Sequence, residues 1–451
     1  MIRKIVEYLN QGTTRSIKAK KNIAAIFLIK GASILSTFIL IPLSIDLVDP
    51  VRYGIWLTLA SVLSWIGLFD LGMGNGLRNR LAEALAKDDA DLGKAYVSTT
   101  YAVLALIALV AAILFFLVQP FLNWATILNV DSSLQQELAL LASIMFVMVL
   151  FQFILRNIGF ILLADQRPAW NNALNLIANF LTLLTIGMMN YLDKGGLLEL
   201  GLVMGAAPVL VFLVASVLFF NSDYKFIRPS WETIRFKYFK DLGSLGIQFF
   251  ILQASALILF TTDNIIIAQV MGPENVTPYH VAVMYFSVVG LIFNILLAPM
   301  WSATTEAYVK GDFPWIKRVI KKAVRFWGLS IVGVIFMIIV SDKVYEVWLG
   351  DSVKVPMLLS ILMGVYQIIV TFISIFVSFI NGVGKLRVQI IHAVFVGILN
   401  IPLSIFLATQ MGLGLAGVIL ATCICQFIGM IWTPIQYHKI ITQTAKGVWN
   451  R

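Results

Sequence analysis

Apolar residues run through this chain in long blocks divided by short polar stretches. The blocks give spans at 22–45, 53–74, 95–118, 137–163, 169–191 and 197–220, then 243–270, 279–301, 323–341, 356–380, 388–408 and 413–437. Each is near the roughly 20 residues that a helix needs to cross a hydrocarbon layer about 30 Å thick. Continuous apolar runs of this length argue for helices, not strands. The pattern predicts an all-α polytopic membrane protein of about twelve transmembrane helices, arranged as two six-helix bundles around a central cavity. A polar segment at 221–242 sets the expected organisation: an N-terminal bundle at 1–220, a cytoplasmic linker at 221–242 and a C-terminal bundle at 243–451.

Composition agrees. Of 451 residues, 60% are hydrophobic and 12% charged, about half the charge of an ordinary soluble domain. The net charge of +10 would suit nucleic acid, but its distribution points elsewhere. Sorted by the spans, 27 of the 33 Lys and Arg residues fall on the side of the N-terminus. Only Arg52, Lys194, Lys343 and Lys354 fall on the other side, and Lys30 and Arg156 lie within spans. This is the positive-inside pattern, with both termini cytoplasmic. A missed helix would have scrambled it from that point onward, so the count of twelve has a second support. No nucleic-acid partner is expected.

Residues 1–22 are polar and basic with a small apolar face, and read as a membrane-surface anchor without a cleavable signal. Cys423 and Cys425, two residues apart on a helix, point to different faces, and three scattered histidines make no cluster. Neither a metal nor a cofactor is expected, and no GxxxxGK[ST] loop occurs.

The two halves echo each other at an offset of 223 positions. Glu83-Ala84 and Lys87 match Glu306-Ala307 and Lys310, Asp89 matches Asp312, and Gly67-Leu68 matches Gly290-Leu291. Six-helix halves of the same orientation are parallel repeats, an arrangement suited to alternating access.

Polar groups at membrane depth supply the candidate chemistry. Lys30 lies nine residues beyond Lys21, about 13 Å into the hydrocarbon layer, with Ser33 and Thr37 on the same face. Arg156, beside Asn157, lies about 16 Å along a helix from Arg167. A guanidinium fork suits phosphate or acidic sugar. Either cation could instead pair with Asp70 or Asp263, or Lys30 could snorkel to the surface. Asp263, in Thr261-Thr262-Asp263-Asn264, could take a proton, bind Na⁺ or pair with a base. Asp70 belongs to the glycine-rich run Gly67 to Gly76, where Gly72, Gly74, Asn75 and Gly76 are expected to shape a gate or close packing. Asn171, Asn175, Asn179 and Thr182 form one stripe; Gln367, Thr371, Ser374, Ser378 and Asn381 form another. Each could line a cavity or bond between helices.

The segments Tyr53-Gly54-Ile55-Trp56, Leu68 to Asn79, Thr262 to Ala268 and Trp301 to Tyr308 carry a resemblance. In their order the chain resembles the Wzx-type polysaccharide (O-antigen) flippases of the multidrug/oligosaccharidyl-lipid/polysaccharide exporter superfamily. The resemblance implies a multi-pass protein of the bacterial inner membrane that moves undecaprenyl-pyrophosphate-linked oligosaccharide from the cytoplasmic to the periplasmic leaflet. It further implies that Lys30 and Arg156, with Asn157, Asn175 and Asn179, hold the cargo. Asp263 and Asp70 would be candidates for coupling to H⁺ or Na⁺. Membrane lipid and a polysaccharide polymerase or glycosyltransferase would be partners. The alternative is a cation-coupled multidrug exporter of the same superfamily, which should favour acidic groups at cavity depth. An enzyme is not expected, because the outer segment 119–136 holds no Lys, Arg or His and offers little loop for catalysis.

Overall fold

The computed structural model describes residues 14–70, 73–165, 167–238 and 261–450. Most of the surface anchor at 1–22, Gly72 and the greater part of the seventh span lie outside the described residues, as does the side chain of Asp70. The first half of the chain forms α1 (Thr14–Val48), α2 (Pro50–Ser64), α3 (Met73–Ala86), α4 (Ala90–Val118) and a short α5 (Trp124–Leu128). It continues with α6 (Gln135–Leu155), α7 (Asn157–Ala164), α8 (Pro168–Tyr191) and α9 (Leu197–Asn221). In the second half are α10 (261–271), α11 (Val276–Val309), α12 (Phe313–Leu349), α13 (Met357–Val383), α14 (Arg387–Thr409) and α15 (Gly414–Ile441).

Among the described residues there is no strand, and ten helices are long and apolar enough to cross a membrane. Large apolar side chains stay exposed along them: Leu106, Leu109, Ile113, Leu114 and Leu117 on α4 alone. In water such a surface would drive association; in a bilayer it meets lipid chains. The protein is an all-α, multi-pass membrane protein.

Among the described residues, three spans show the clearest departures from the sequence pattern, while the first and eighth run on by about eight residues at one end, to Thr14 and Val309. The second breaks after Ser64 into a 3-10 turn over Trp65–Asp70, and helix resumes at Met73. The break falls in the glycine-rich run, where helix propensity is lowest. The fourth is interrupted at Arg156 alone. The ninth is longer at both ends, 37 residues or about 55 Å, because charged flanks do not stop a helix that still buries one apolar face.

Contacts divide the chain into two units. One comprises Met1–Asp49, Leu63–Ala125 and Asp131–Phe250. The other comprises Pro50–Val62, Thr126–Val130 and Ile251–Arg451. Two pieces of the first half of the chain are therefore built into the second unit. The start of α2 joins it through Thr277, whose hydroxyl donates to the Pro50 carbonyl at 2.6 Å. Gly54 lies so close that a Cβ there would stand 2.0 Å from the Pro273 carbonyl oxygen. The piece 126–130 caps α10: the Asn129 amide donates to the Ala268 and Gln269 carbonyls at 3.0 and 3.3 Å, and the Gln269 amide donates back to Thr126 at 3.1 Å. The Ala268 carbonyl also accepts from the Gly272 amide at 3.2 Å, so the Asn129 amide is a second donor to the last turn of α10. The linker belongs to the first unit, where Ser230, Thr233 and Arg235 bond to Ser98 and Thr99 of α4.

The repeat is written in the turns. Asp49 and Gly272 both have positive φ, and each is followed by a proline, Pro50 or Pro273, that opens the next helix or turn. Asp88 (φ 54°) corresponds to Gly311 (φ 74°). Asp89 donates its amide to Ala84 at 3.0 Å, and Asp312 to Ala307 at 2.8 Å. Both aspartates then cap the next helix, Asp89 accepting from the Leu92 amide at 2.9 Å and Asp312 from Trp315 at 3.0 Å. Later turns pair at slightly shorter offsets, Asp193 with Gly412 and Gly195 with Gly414, again at positive φ. Asp tolerates this backbone region better than most residues, and glycine occupies it freely.

Within the second unit α14 and α15 pack backbone to backbone at Gly417, where a Cβ would lie 2.6 Å from the Ala408 nitrogen. No side chain there can swing aside. Gly417→Val is expected to destabilise the protein by at least about 1–3 kcal/mol, the usual cost of overpacking. A lower unfolding midpoint in detergent would show it, and an unchanged midpoint would contradict the close approach.

Candidate functional site

In the first unit α8 is the spine. It runs parallel to α1: the Asn179 amide donates to the Ser33 hydroxyl at 3.1 Å, and farther along Asn190 donates to the Leu43 carbonyl at 2.8 Å. That register puts Asn175, one turn before Asn179, level with residues 29–30 of α1. On the other side α8 meets α7, where the Asn171 Oδ1 lies 2.3 Å from the point a Gly159 Cβ would occupy. These two chains run antiparallel, so Arg156, three residues before Gly159, falls at the depth of residue 174. Lys30 and Arg156, 126 positions apart in sequence, thus lie within about one helical turn of the same depth.

Among the described residues neither cation has a hydrogen-bond or ion-pair partner. Lys30 is half-buried and Arg156 is exposed. Thr37 returns its hydroxyl to the Ser33 carbonyl at 3.0 Å, and the Ser33 hydroxyl accepts from Asn179. The Asn175 amide donates to the Asn171 carbonyl at 2.8 Å. Asn157 is buried, and its amide donates to the Phe153 and Ile154 carbonyls at 3.2 and 3.1 Å, the turn that the break at Arg156 frees. Gly74 packs on Phe160 so tightly that a Cβ would stand 2.2 Å from the ring. Gly76 is buried and Asn75 half-buried beside it.

The second unit holds a different centre. Asp263, on α10, is 5% exposed and accepts from the Tyr279 hydroxyl of α11 at 2.5 Å. Its other oxygen and the neighbouring Thr262 hydroxyl are buried with no partner among the described residues. Tyr366 of α13 and Cys423 of α15 lie near the same pair. Asn264 is tied elsewhere, donating to the Ser61 hydroxyl at 2.9 Å. Of the second polar stripe, Gln367, Thr371 and Ser378 are buried, and Thr371 and Ser374 bond back to their own helix. Neither Tyr279 nor the break at Arg156 was among the sequence candidates. Tyr279 follows Asp263 by 16 positions across the Gly272-Pro273 turn, and no periodicity links the two.

Outside the spans one ion-pair cluster joins two loops. Arg167 contacts Asp165 at 2.8 Å and Asp223 at 2.5 Å, and Asp165 also accepts from the Tyr224 hydroxyl at 2.8 Å. The hydrogen bond to Asp223 is the main reason the Arg167 guanidinium is held above its usual range.

Among the described residues the chain is all-α, repeats its turns between halves, and holds two cations within its spans that have no hydrogen-bond or ion-pair partner. Solved structures share this fold. An inward-facing multidrug resistance MATE family transporter of the MOP superfamily aligns with a TM-score of 0.72 at 15% identity, over 90% of this chain and 100% of that one. An outward-facing structure of such a transporter aligns with a TM-score of 0.61 at 14% identity, over 94% and 97%. At these identities the likeness is one of fold. Residues 19–304, more than half of the chain, match the polysaccharide biosynthesis protein family, and the chain belongs to that family. It is 23% identical over 353 residues to a "Putative O-antigen transporter" of Salmonella typhi, covering 76% of this chain and 78% of that protein. It is 21% identical over 428 residues to a "Putative O-antigen export protein" of Yersinia pseudotuberculosis, covering 92% and 94%. The Wzx-type resemblance read from the sequence stands, and the relatives are transporters, not enzymes.

Proposed function

We propose that this protein flips a lipid-linked oligosaccharide, carried on undecaprenyl pyrophosphate, from the cytoplasmic to the periplasmic leaflet of a bacterial inner membrane. The observation that supports the reading is the pair of cations, Lys30 and Arg156, at one depth and without a partner among the described residues, in a chain of the polysaccharide family. A cation kept in a span without a carboxylate is costly unless it serves a pathway. A pyrophosphate or acidic sugar would supply the missing negative charge, with Asn175 and Asn179 beside Lys30 for sugar hydroxyls. Multidrug export remains the competing reading; the drug-exporting neighbours share the fold at 15% identity or so, and an organic cation would be repelled by the two bases.

Asp263 is the coupling candidate in this reading. A buried carboxylate with one oxygen on Tyr279 and the other without a partner among the described residues can exchange a proton or a cation during a transport cycle. Both termini are cytoplasmic in this reading, on the strength of the Lys and Arg distribution.

The test is the sidedness of the cargo. Cells lacking the gene should accumulate lipid-linked oligosaccharide on the cytoplasmic face, as seen with a membrane-impermeant glycan probe, and restoring the chain should reverse this. Unchanged sidedness in a strain without a redundant flippase would remove the glycan reading and favour drug-efflux assays.

A further inference from the structure

The N-terminal part of α12 carries Lys317, Arg318, Lys321, Lys322 and Arg325, all exposed. At 100° per residue these five lie within a 140° arc, while Ile316 and Ile320 are buried on the opposite side. Among the described residues none of the five has a hydrogen-bond or ion-pair partner. Three like-charge pairs at i,i+4 repel one another and weaken the helix unless an anion lies against them.

The same face continues into the membrane. Leu329, Val332, Phe336 and Ile339 are 67%, 64%, 64% and 70% exposed, and their helical angles fall inside the arc of the cations. One uninterrupted face therefore presents apolar side chains at acyl-chain depth and, directly above, a cationic strip about 12 Å long. Arg325 and Leu329 are a single turn apart. That order, hydrocarbon then anion, is the order of a phospholipid: chains, then phosphate.

We propose that this face of α12 is a binding surface for anionic phospholipid headgroups of the surrounding leaflet, with the cations from Lys317 to Arg325 on the phosphates and Leu329 to Ile339 on the chains. The assignment requires that the chain spans a bilayer and is independent of the cargo, so it can fail while the flippase reading holds, and the reverse.

The purified full chain, reconstituted in phosphatidylcholine vesicles containing phosphatidylglycerol, would be probed with spin-labelled lipids of each headgroup. The wild-type protein is expected to retain the anionic lipid in preference, and added salt should erode that preference. Substituting all five cations with Gln should lower it at least about fivefold, the contribution of one well-placed surface cation. Should that variant not insert, K321Q and R325Q singly should each lower it in part. A preference that is absent, insensitive to salt, or unchanged in these variants would overturn the proposal.

Discussion

Replacing Lys30 with Ala is expected to lower transport of the lipid-linked cargo at least about tenfold while leaving the protein inserted at its normal level. The magnitude follows from losing one charge-assisted hydrogen bond, about 1.5–3 kcal/mol. Insertion should survive because Lys30 has no partner among the described residues to be stranded, and alanine suits the middle of α1 better than a cation does. Lys30→Arg should keep more activity than Lys30→Ala, since the charge remains at the same depth. Transport would be followed by leaflet sidedness of the glycan, and protein level by immunoblot of the membrane fraction. Wild-type transport in the alanine variant would remove Lys30 from the cargo path. A fall in transport matched by a fall in protein level would instead assign it a structural role.

The second large effect is expected at Asp263. Asp263→Asn keeps the size of the side chain and an oxygen that can accept from Tyr279, so folding should change little. It removes the group that can exchange a proton or cation, so transport should lose its response to an imposed H⁺ or Na⁺ gradient, by about tenfold or more if one charged interaction of about 1.5 kcal/mol drives the step. Tyr279→Phe removes the hydroxyl that the carboxylate uses and leaves a buried acceptor unpaired, at about 1–3 kcal/mol of stability. In the Asp263→Asn background the same tyrosine change should cost less, because the pair is then already weakened. A double-mutant cycle on unfolding midpoints measures that difference. Additive costs would show that the 2.5 Å contact contributes nothing specific, and gradient-driven transport by Asp263→Asn would place coupling elsewhere.

Two features of the candidate site needed no structure. Lys30 stands out because a single cation inside an apolar run is improbable without a purpose, and Asp263 stands out for the same reason. The stripe Asn171, Asn175, Asn179 was legible from its spacing, since a helix puts every fourth residue on one face. What spacing could not tell is which neighbour each face meets. Asn179 reaches Ser33 and Asn171 crowds Gly159, so the stripe is the seam on which α1 and α7 meet α8. Asn157 shows the opposite case: next to Arg156 in sequence, its amide serves the backbone carbonyls freed by the helix break. Sequence adjacency on a helix separates two side chains by 100°, and that rotation divides their surroundings.

The helical class, the multi-pass character and the approximate position of the spans that lie among the described residues were legible in the sequence alone. The physical reason is that a bilayer forces every spanning backbone group to bond within its own helix, so length and apolarity suffice. The repeat was also visible, as a few matched residues; the turns show why those residues match, since Asp88 and Gly311 hold the same positive-φ position and Asp89 and Asp312 cap the same helix. Only the tertiary structure decided that α2 begins in the second unit, that Tyr279 partners Asp263, and that the helices of Lys30 and Arg156 both pack on α8. Each depends on residues far apart in the chain, whose meeting is set by the packing of whole helices. Local pattern carries no record of that packing.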